Sequence, residues 1–192
     1  MRRLLIIFLL LLAGPSYAMQ MIGFGAGATC DTQSYDVQYA TYNTSSVFDP
    51  TNQTRGQSWQ SGATGTLYSI TIRRHSYTYD ASNITIRIGT GTNLSGTCSL
   101  SNTCKVQYTC AISDSTGDKE CVIPEGSRPT LTSGNTYYFL MMVSYGYSFF
   151  DISRDAAAGY ANGTAYFESA EDWDVTGSTS SSDYPFKTRM CD

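Results

Sequence analysis

Residues 84–88 read Ile-Thr-Ile-Arg-Ile, the clearest alternation of apolar and polar side chains in the chain. Successive side chains of a β-strand point to opposite faces of its sheet, so the three isoleucines share one face and Thr85 and Arg87 the other. The same period of two recurs over residues 104–112, where apolar side chains occupy the even positions. Both segments are therefore expected to be strands with one buried face.

Further strand-like segments lie on both sides of this pair, separated by turn-forming Gly, Ser and Asn residues. No segment keeps a helical period for more than about two turns. About eight to ten short strands at this spacing predict an all-β chain, folded as a two-sheet sandwich or a barrel. The remaining segments cover residues 35–39, 56–60, 67–72, 136–143, 165–167 and 184–190.

Three segments carry more specific expectations about position and orientation. Residues 136–143 are apolar on both faces, which predicts a central strand. Residues 43–55 are expected to form a polar loop. Tyr68 is expected to share one face of its strand with Ile70 and Ile72.

The first 18 residues carry the features of a secretory signal peptide. Arg2 and Arg3 precede an apolar run over residues 4–12, and small residues mark a cleavage site after Ala18. The run is shorter than the roughly 20 residues that span a bilayer. We expect residues 1–18 to be removed, residues 19–29 to form a flexible arm, and residues 30–192 to form a single β-sandwich domain in the extracellular space or the periplasm.

The expected mature chain is acidic and sparsely charged. Removal of residues 1–18 leaves ten Lys and Arg against 16 Asp and Glu, a net charge of about −6. Nucleic acids and anionic lipids both require a basic surface, so neither is an expected partner. No later segment is long and apolar enough for a membrane helix, so no membrane span is expected in the mature chain.

Six cysteines, an even number in an exported chain, predict three disulfides. A zinc site is the alternative, and it is disfavoured because the chain has one His. The spacing favours one pair across a hairpin turn at residues 115–118, one pair that encloses a short polar loop, and a remaining pair that ties the first strand to the last. These pairs are Cys110–Cys121, Cys98–Cys104 and Cys30–Cys191.

Three stretches resemble, as a set, a jelly-roll module of secreted and surface-anchored bacterial proteins, which is similar in shape to carbohydrate-binding modules. The resemblance covers about residues 55–190 and consists of core and turn positions, with Trp59 and Phe186 as expected core residues. It implies a jelly-roll-like antiparallel β-sandwich, and it carries over no catalytic residue. The stretches are Gly56-Gln57-Ser58-Trp59 with residues 63–70, residues 131–140, and residues 160–166 with Trp173 and residues 183–188.

The sequence offers few groups for catalysis. His75, the single histidine, ends a strand-like segment, and a solvent-exposed His is favoured over a catalytic base because no partnered nucleophile is evident. The only acidic cluster, Glu168, Glu171, Asp172 and Asp174, reads as a solvated loop. The alternatives for this cluster are a calcium site or the carboxylate pair of a glycan-active hydrolase. We therefore expect no enzymatic activity.

No cofactor is expected to be required, but Asp151 and Asp183 are candidate ligands of a structural calcium ion. Calcium takes several carboxylate and carbonyl oxygens. Modules of the resembled shape often hold calcium near the chain ends, which places Asp183 by resemblance. The alternative is that each residue is a turn-forming Asp.

Aromatic residues in or beside loops are the candidate ligand-binding residues: Tyr77, Tyr145, Tyr147 and Trp173. Aromatic rings stack on sugar faces and anchor protein interfaces. The alternative is that these rings pack against the edges of the sandwich.

These features favour a secreted, non-catalytic binding module for a glycan or another cell-surface component, with a role in adhesion. The alternative is a structural subunit of an extracellular fibre or coat. In that case the arm at residues 19–29 adds a strand to the sheet edge of a second copy.

Overall fold

The structure, a computed structural model, describes most of the chain beyond the expected signal peptide. The predicted signal peptide at residues 1–18 and the predicted arm at residues 19–29 lie outside the described residues. The described residues are 30, 32–48, 53–75, 83–112, 115–143, 150–157, 159–169 and 172–191.

The described residues form twelve β-strands and one short 3-10 helix at Glu125–Ser127. None of the described helical structure is long and apolar enough to cross a membrane. The strands are β1 (Gln33–Tyr39), β2 (Thr44–Phe48), β3 (Thr54–Gln60), β4 (Gly65–Arg74), β5 (Asn83–Gly89), β6 (Cys104–Ala111), β7 (Gly117–Val122), β8 (Thr130–Leu131), β9 (Thr136–Val143), β10 (Phe150–Arg154), β11 (Ala165–Glu168) and β12 (Phe186–Cys191).

The strands form two antiparallel sheets. The first sheet has the order β1-β12-β4-β10-β2, and β7 and β8 also pair with β4. The second sheet has the order β11-β3-β9-β5-β6. In the second sheet β9 pairs with both β3 and β5, which confirms the central strand predicted at residues 136–143.

An aromatic cluster joins the two sheets through a shared core. Trp59 of β3 is 0% exposed, and its ring centroid lies 5.8 Å from that of Tyr137 and 6.0 Å from that of Phe139. Phe186 comes from β12 in the first sheet, and its ring lies 6.2 Å from Trp59. Trp59 and Phe186 are therefore core residues, as the sequence predicts.

The alternation at residues 84–88 has the predicted consequence. Ile84, Ile86 and Ile88 are at most 1% exposed and belong to the shared core, while Thr85 and Arg87 are only half-buried. The prediction of an all-β, two-sheet antiparallel sandwich is confirmed.

The polar loop predicted over residues 43–55 is wrong. Thr44–Phe48 forms β2, which pairs along its length with β10, and β3 already begins at Thr54. The Thr and Ser residues that open β2 show no apolar alternation. Pairing with β10 defines this strand, and the local sequence pattern does not show it.

The orientation predicted for Tyr68 is also wrong. Ile70 and Ile72 face the core, but Tyr68 is half-buried and lies outside the core cluster. The pairing of β12 with β4 shifts register, from Arg189 opposite Ser69 to Met190 opposite Leu67. This irregularity inserts Tyr68 as an extra residue and turns its ring to the outer face.

Three disulfides are present in the described residues, and they are the pairs that the cysteine spacing favours: Cys30–Cys191, Cys98–Cys104 and Cys110–Cys121. The first joins the residues before β1 to the end of β12. The second closes the loop that leads into β6.

The hairpin expected between Cys110 and Cys121 is not formed. Cys110 lies in β6 of the second sheet and Cys121 in β7 of the first, and both side chains are buried in the core. β6 and β7, which follow each other in the chain, therefore belong to different sheets. The disulfide links the two layers of the sandwich rather than two neighbouring strands.

We expect the disulfides to stabilise the fold according to the length of chain that each one closes. Replacing Cys30 and Cys191 by Ser opens a loop with a sequence separation of 161 residues. Chain entropy predicts a loss of about 5 kcal/mol in the free energy of unfolding. Replacing Cys98 and Cys104 opens a separation of 6 and costs about 2 kcal/mol. Urea denaturation without reductant measures both losses, and equal losses would contradict this ranking.

Candidate functional site

The outer face of the second sheet is covered by two loops. Leu94 and Val175 from these loops pack on Leu140 and Tyr166, which point outward from β9 and β11. The loops also pair with each other, because the Leu94 N–H donates to the Trp173 carbonyl over 2.8 Å. This face therefore carries a small second core.

Trp173, a predicted ligand-binding residue, belongs to this covered face. It is half-buried against the small second core, and the Arg87 guanidinium lies 4.8 Å from its ring centroid. Its backbone has a φ of 59°, a left-handed conformation that a large side chain rarely adopts. The structure thus gives Trp173 a packing role beside the loop at residues 90–103.

The outer face of the first sheet is polar and carries exposed tyrosines. Tyr35 is 51% exposed and Tyr42 is 41% exposed. We call this surface the tyrosine–cation face, and it consists of Tyr35, Tyr42, Tyr68, Arg73, Asp118, Glu120, Arg128, Lys187 and Arg189.

Strand alternation brings the charged residues of this face together. Along β12, Phe186 and Met190 enter the core, whereas Lys187 and Arg189 point outward. On the other side of β4, β7 turns Cys121 inward and Asp118 and Glu120 outward. Because β4 pairs with both strands, the cations of β12 and the acids of β7 lie on either side of it.

Ion pairs hold the cations of the tyrosine–cation face in place. The two oxygens of Asp118 accept from Arg73 Nη1 over 2.8 Å and from Lys187 Nζ over 2.6 Å. Arg189 Nη1 donates to Glu120 Oε1 over 3.0 Å. These side chains are about a quarter to a third exposed, so each pair contributes only about 0–1 kcal/mol to stability. Their effect is to fix the directions of the cations.

The charge balance at Asp118 favours its ionised form. Partial burial alone raises the pKa of a carboxyl group. Here the hydrogen bonds and positive charges of Lys187 and Arg73 outweigh burial, and they hold the pKa of Asp118 below its ordinary value. Asp118 is therefore ionised at neutral pH.

The same cations contact the tyrosine rings. The Arg189 guanidinium lies 5.5 Å from the ring centroid of Tyr35 and 5.7 Å from that of Tyr68. The Arg73 guanidinium lies 4.3 Å from the Tyr42 ring centroid, and its Nη2 donates to the Tyr42 hydroxyl over 2.8 Å. Such cation–π contacts are worth about 0.5–1 kcal/mol at exposed sites. The rings are thus held on the sheet while part of each stays in contact with solvent.

A small pocket opens on this face between the end of β1 and the middle of β4. Its polar lining includes Thr71, Arg73, Asp118 and Lys187, and Ala40 forms part of its wall. The pocket places hydrogen-bonding groups next to the exposed rings. This combination suits a ligand that presents both hydroxyl groups and a flat apolar surface.

The candidate calcium ligands are buried and bonded within the protein. The Asp183 side chain is 3% exposed, and its oxygens accept from Gln57 Nε2 over 3.1 Å and from the Tyr160 N–H over 2.9 Å. Asp151 is 5% exposed, and its backbone carbonyl accepts from the His75 N–H. Among the described residues, no three His, Cys, Asp or Glu side chains meet as a metal site. Calcium binding stays a prediction.

Asp155 is the centre of a hydrogen-bond network that the sequence does not indicate. It is 3% exposed and accepts from the Tyr39 hydroxyl over 2.5 Å, from Asn43 Nδ2 over 3.0 Å and from the Ala157 N–H over 3.0 Å. The Tyr39 hydrogen bond and the other donors lower the pKa of Asp155. Burial and the same hydrogen bond raise the pKa of Tyr39.

The structure describes only some of the other predicted site residues. Tyr77, Tyr145, Tyr147 and Glu171 lie outside the described residues. His75 is exposed. Within the acidic loop, Asp174 accepts from Asn93 Nδ2 over 2.6 Å.

The sequence alone does not reveal the tyrosine–cation face. The available signal was the pattern of β12, where Lys187 and Arg189 alternate with residues of the buried face. Strand order and register were needed to show that these residues share one face. The sequence pattern also assigns Tyr68 to the core face, because it does not show the extra residue that turns this ring outward.

Comparison with protein-family models, curated proteins and solved structures finds no match. The jelly-roll module resemblance therefore stays a prediction, and the site has to be argued from its geometry.

We expect Tyr39→Phe to destabilise the protein by about 1–2 kcal/mol at neutral pH, since it removes the donor to a buried carboxylate. The pKa of Asp155 is lowered in the folded state, so its stabilisation is present above the unfolded-state pKa near 4 and is lost as the pH falls through the lower folded value. The difference in the free energy of unfolding between wild type and variant should therefore become smaller below about pH 4. Urea denaturation from pH 7 to pH 3 measures this difference. A difference that grows in acid would contradict the stabilisation of ionised Asp155 by Tyr39.

Proposed function

We propose that this protein is an exported, non-catalytic binding module, and that the tyrosine–cation face binds a glycan or another cell-surface component. The observation that supports this proposal best is the contrast between the two outer faces. Loops cover one face with apolar side chains, whereas the other displays Tyr35 and Tyr42 to solvent.

The geometry of the rings supports a sugar ligand. Tyrosine rings offer flat apolar surfaces with little conformational entropy to lose, and here cations already hold them in place. The neighbouring Asp118 and Lys187 can exchange hydrogen bonds with hydroxyl groups. A face of this kind binds an extended ligand without enclosing it.

The proposed location rests on the sequence of residues 1–18 and on the disulfides. A signal peptide directs a chain to export, and three disulfides suit an oxidising compartment. These two features support an extracellular or periplasmic location.

A second candidate function is a subunit of a fibre or coat. It is favoured by the position of β1 at the edge of the first sheet, where a strand from a second copy could pair. Negative-stain microscopy of the purified protein separates the two proposals, because assembly predicts filaments or layers and a binding module predicts particles of one chain.

We expect Tyr35→Ala and Tyr42→Ala each to weaken glycan binding about tenfold, because each removes a stacking surface. A glycan array identifies ligands of the wild type, and calorimetry then measures the affinities. Tyr35→Phe keeps the ring and should bind within about twofold of wild type. Leu100→Ala is the matched control, because Leu100 is 52% exposed but lies in the loop before β6.

The competing site consists of the loop aromatics predicted from the sequence. Tyr147→Ala and Trp173→Ala should leave the affinity of the folded protein unchanged, although Trp173→Ala lowers its stability by exposing the small second core. Loss of binding in these variants, with Tyr35→Ala unaffected, would place the site on the loops and contradict the proposal.

A further inference from the structure

The tyrosine–cation face is basic on an acidic protein. It carries four cations, Arg73, Arg128, Lys187 and Arg189, against two acids, Asp118 and Glu120. The whole sequence has the opposite balance, with 16 Asp and Glu against 12 Lys and Arg. The excess positive charge therefore coincides with the surface that displays the rings.

The arginines of the tyrosine–cation face lie over its rings. Arg189 lies between Tyr35 and Tyr68. The guanidinium of Arg128, which follows the 3-10 helix, lies 4.8 Å from the Tyr68 ring centroid. A ligand that stacks on Tyr35 or Tyr68 would therefore lie next to a guanidinium group. Guanidinium groups match the geometry of carboxylates. Arg189 already pairs with one carboxylate on this face, through Nη1 and Glu120 Oε1.

Each acid of the tyrosine–cation face bonds to more than one partner. Asp118 is divided between Arg73 and Lys187, and Glu120 also accepts from the Ser69 hydroxyl over 2.7 Å. Arg189 donates from Nη1 to Glu120 and from Nη2 to Gln33, and each of these nitrogens carries a second N–H. The side chains of Arg73, Lys187 and Arg189 are about a quarter to a third exposed, so a ligand can reach them. A carboxylate on the ligand can therefore add to these groups without burying a charge.

We infer that the ligand of the tyrosine–cation face is an acidic glycan that carries uronic-acid carboxylates. Sugar rings stack on Tyr35 and Tyr42, and the carboxylates pair with Arg189, Arg73 and Lys187. This inference rests on the proposed function and names the ligand class of the same site.

Calorimetry with a panel of uronate oligosaccharides tests the inference directly. Each acidic oligomer is compared with its methyl ester, which has the same sugars and no charge. We expect the acid to bind at least tenfold more tightly than the ester at low salt, and this advantage to shrink as sodium chloride is raised, because salt screens exposed charges. Arg189→Gln should weaken binding of the acid about tenfold. Lys105→Gln should not change it, because Lys105 is a half-buried residue of β6 in the second sheet.

A variant that is expected to bind more tightly shows that weaker binding in the other variants is not caused by misfolding. Glu120→Gln keeps the shape of the side chain and removes a negative charge from the face. We expect it to bind the acidic oligomer severalfold more tightly and to leave binding of the ester unchanged, a result that loss of structure cannot produce. Weaker binding of the acid by Glu120→Gln would overturn the inference.

The failures of the two proposals are distinguishable. If the esters or neutral glycans bind as tightly as the acids and Tyr35→Ala abolishes that binding, the ligand class is wrong and the proposed binding face stands. If neither acidic nor neutral glycans bind, both proposals fail. If poly-glutamate binds as tightly as the uronates and Tyr35→Ala has no effect on either, the face recognises charge alone, and the assignment to a glycan is overturned.

Discussion

Burial of alternate side chains from β4 and β12 against the second sheet is the constraint on which the rest of the structure depends. Phe186 and Met190 enter the shared core, and the period of two then obliges Lys187 and Arg189 to face outward. The exposed charges and rings are thus a direct consequence of how the core is filled. A shift of one residue in register would exchange the two sets and destroy both the core and the face.

The sequence was informative where a local pattern carries the information. The alternation that starts at Ile84 predicts a strand whose isoleucines are buried, and cysteine spacing favours the three observed disulfides. It was uninformative where pairing with a distant strand decides the outcome. β2 exists because β10 lies beside it, and the consecutive strands β6 and β7 lie in different sheets instead of forming a hairpin.

The candidate site was hidden for the same reason. Tyr35 and Arg189 are adjacent because β1 pairs with β12, and Glu120 joins them because β7 pairs with β4 on its other side. The irregularity that turns Tyr68 outward has no signature in the local residues. The loop aromatics drew attention from the sequence, yet Trp173 packs on a covered face. Exposed rings on strands become visible only when the layers are assembled.

The central claim is that the outer face of the first sheet, which displays Tyr35 and Tyr42, is the functional surface, and not the loop-covered face of the second sheet. Titration of isotope-labelled protein with a uronate oligosaccharide, followed by amide chemical shifts, tests it most directly. The account predicts shift changes along β12, β4 and β7, centred on Arg189 and Asp118. Changes confined to the loop at residues 91–103, with β12 unaffected, would contradict it.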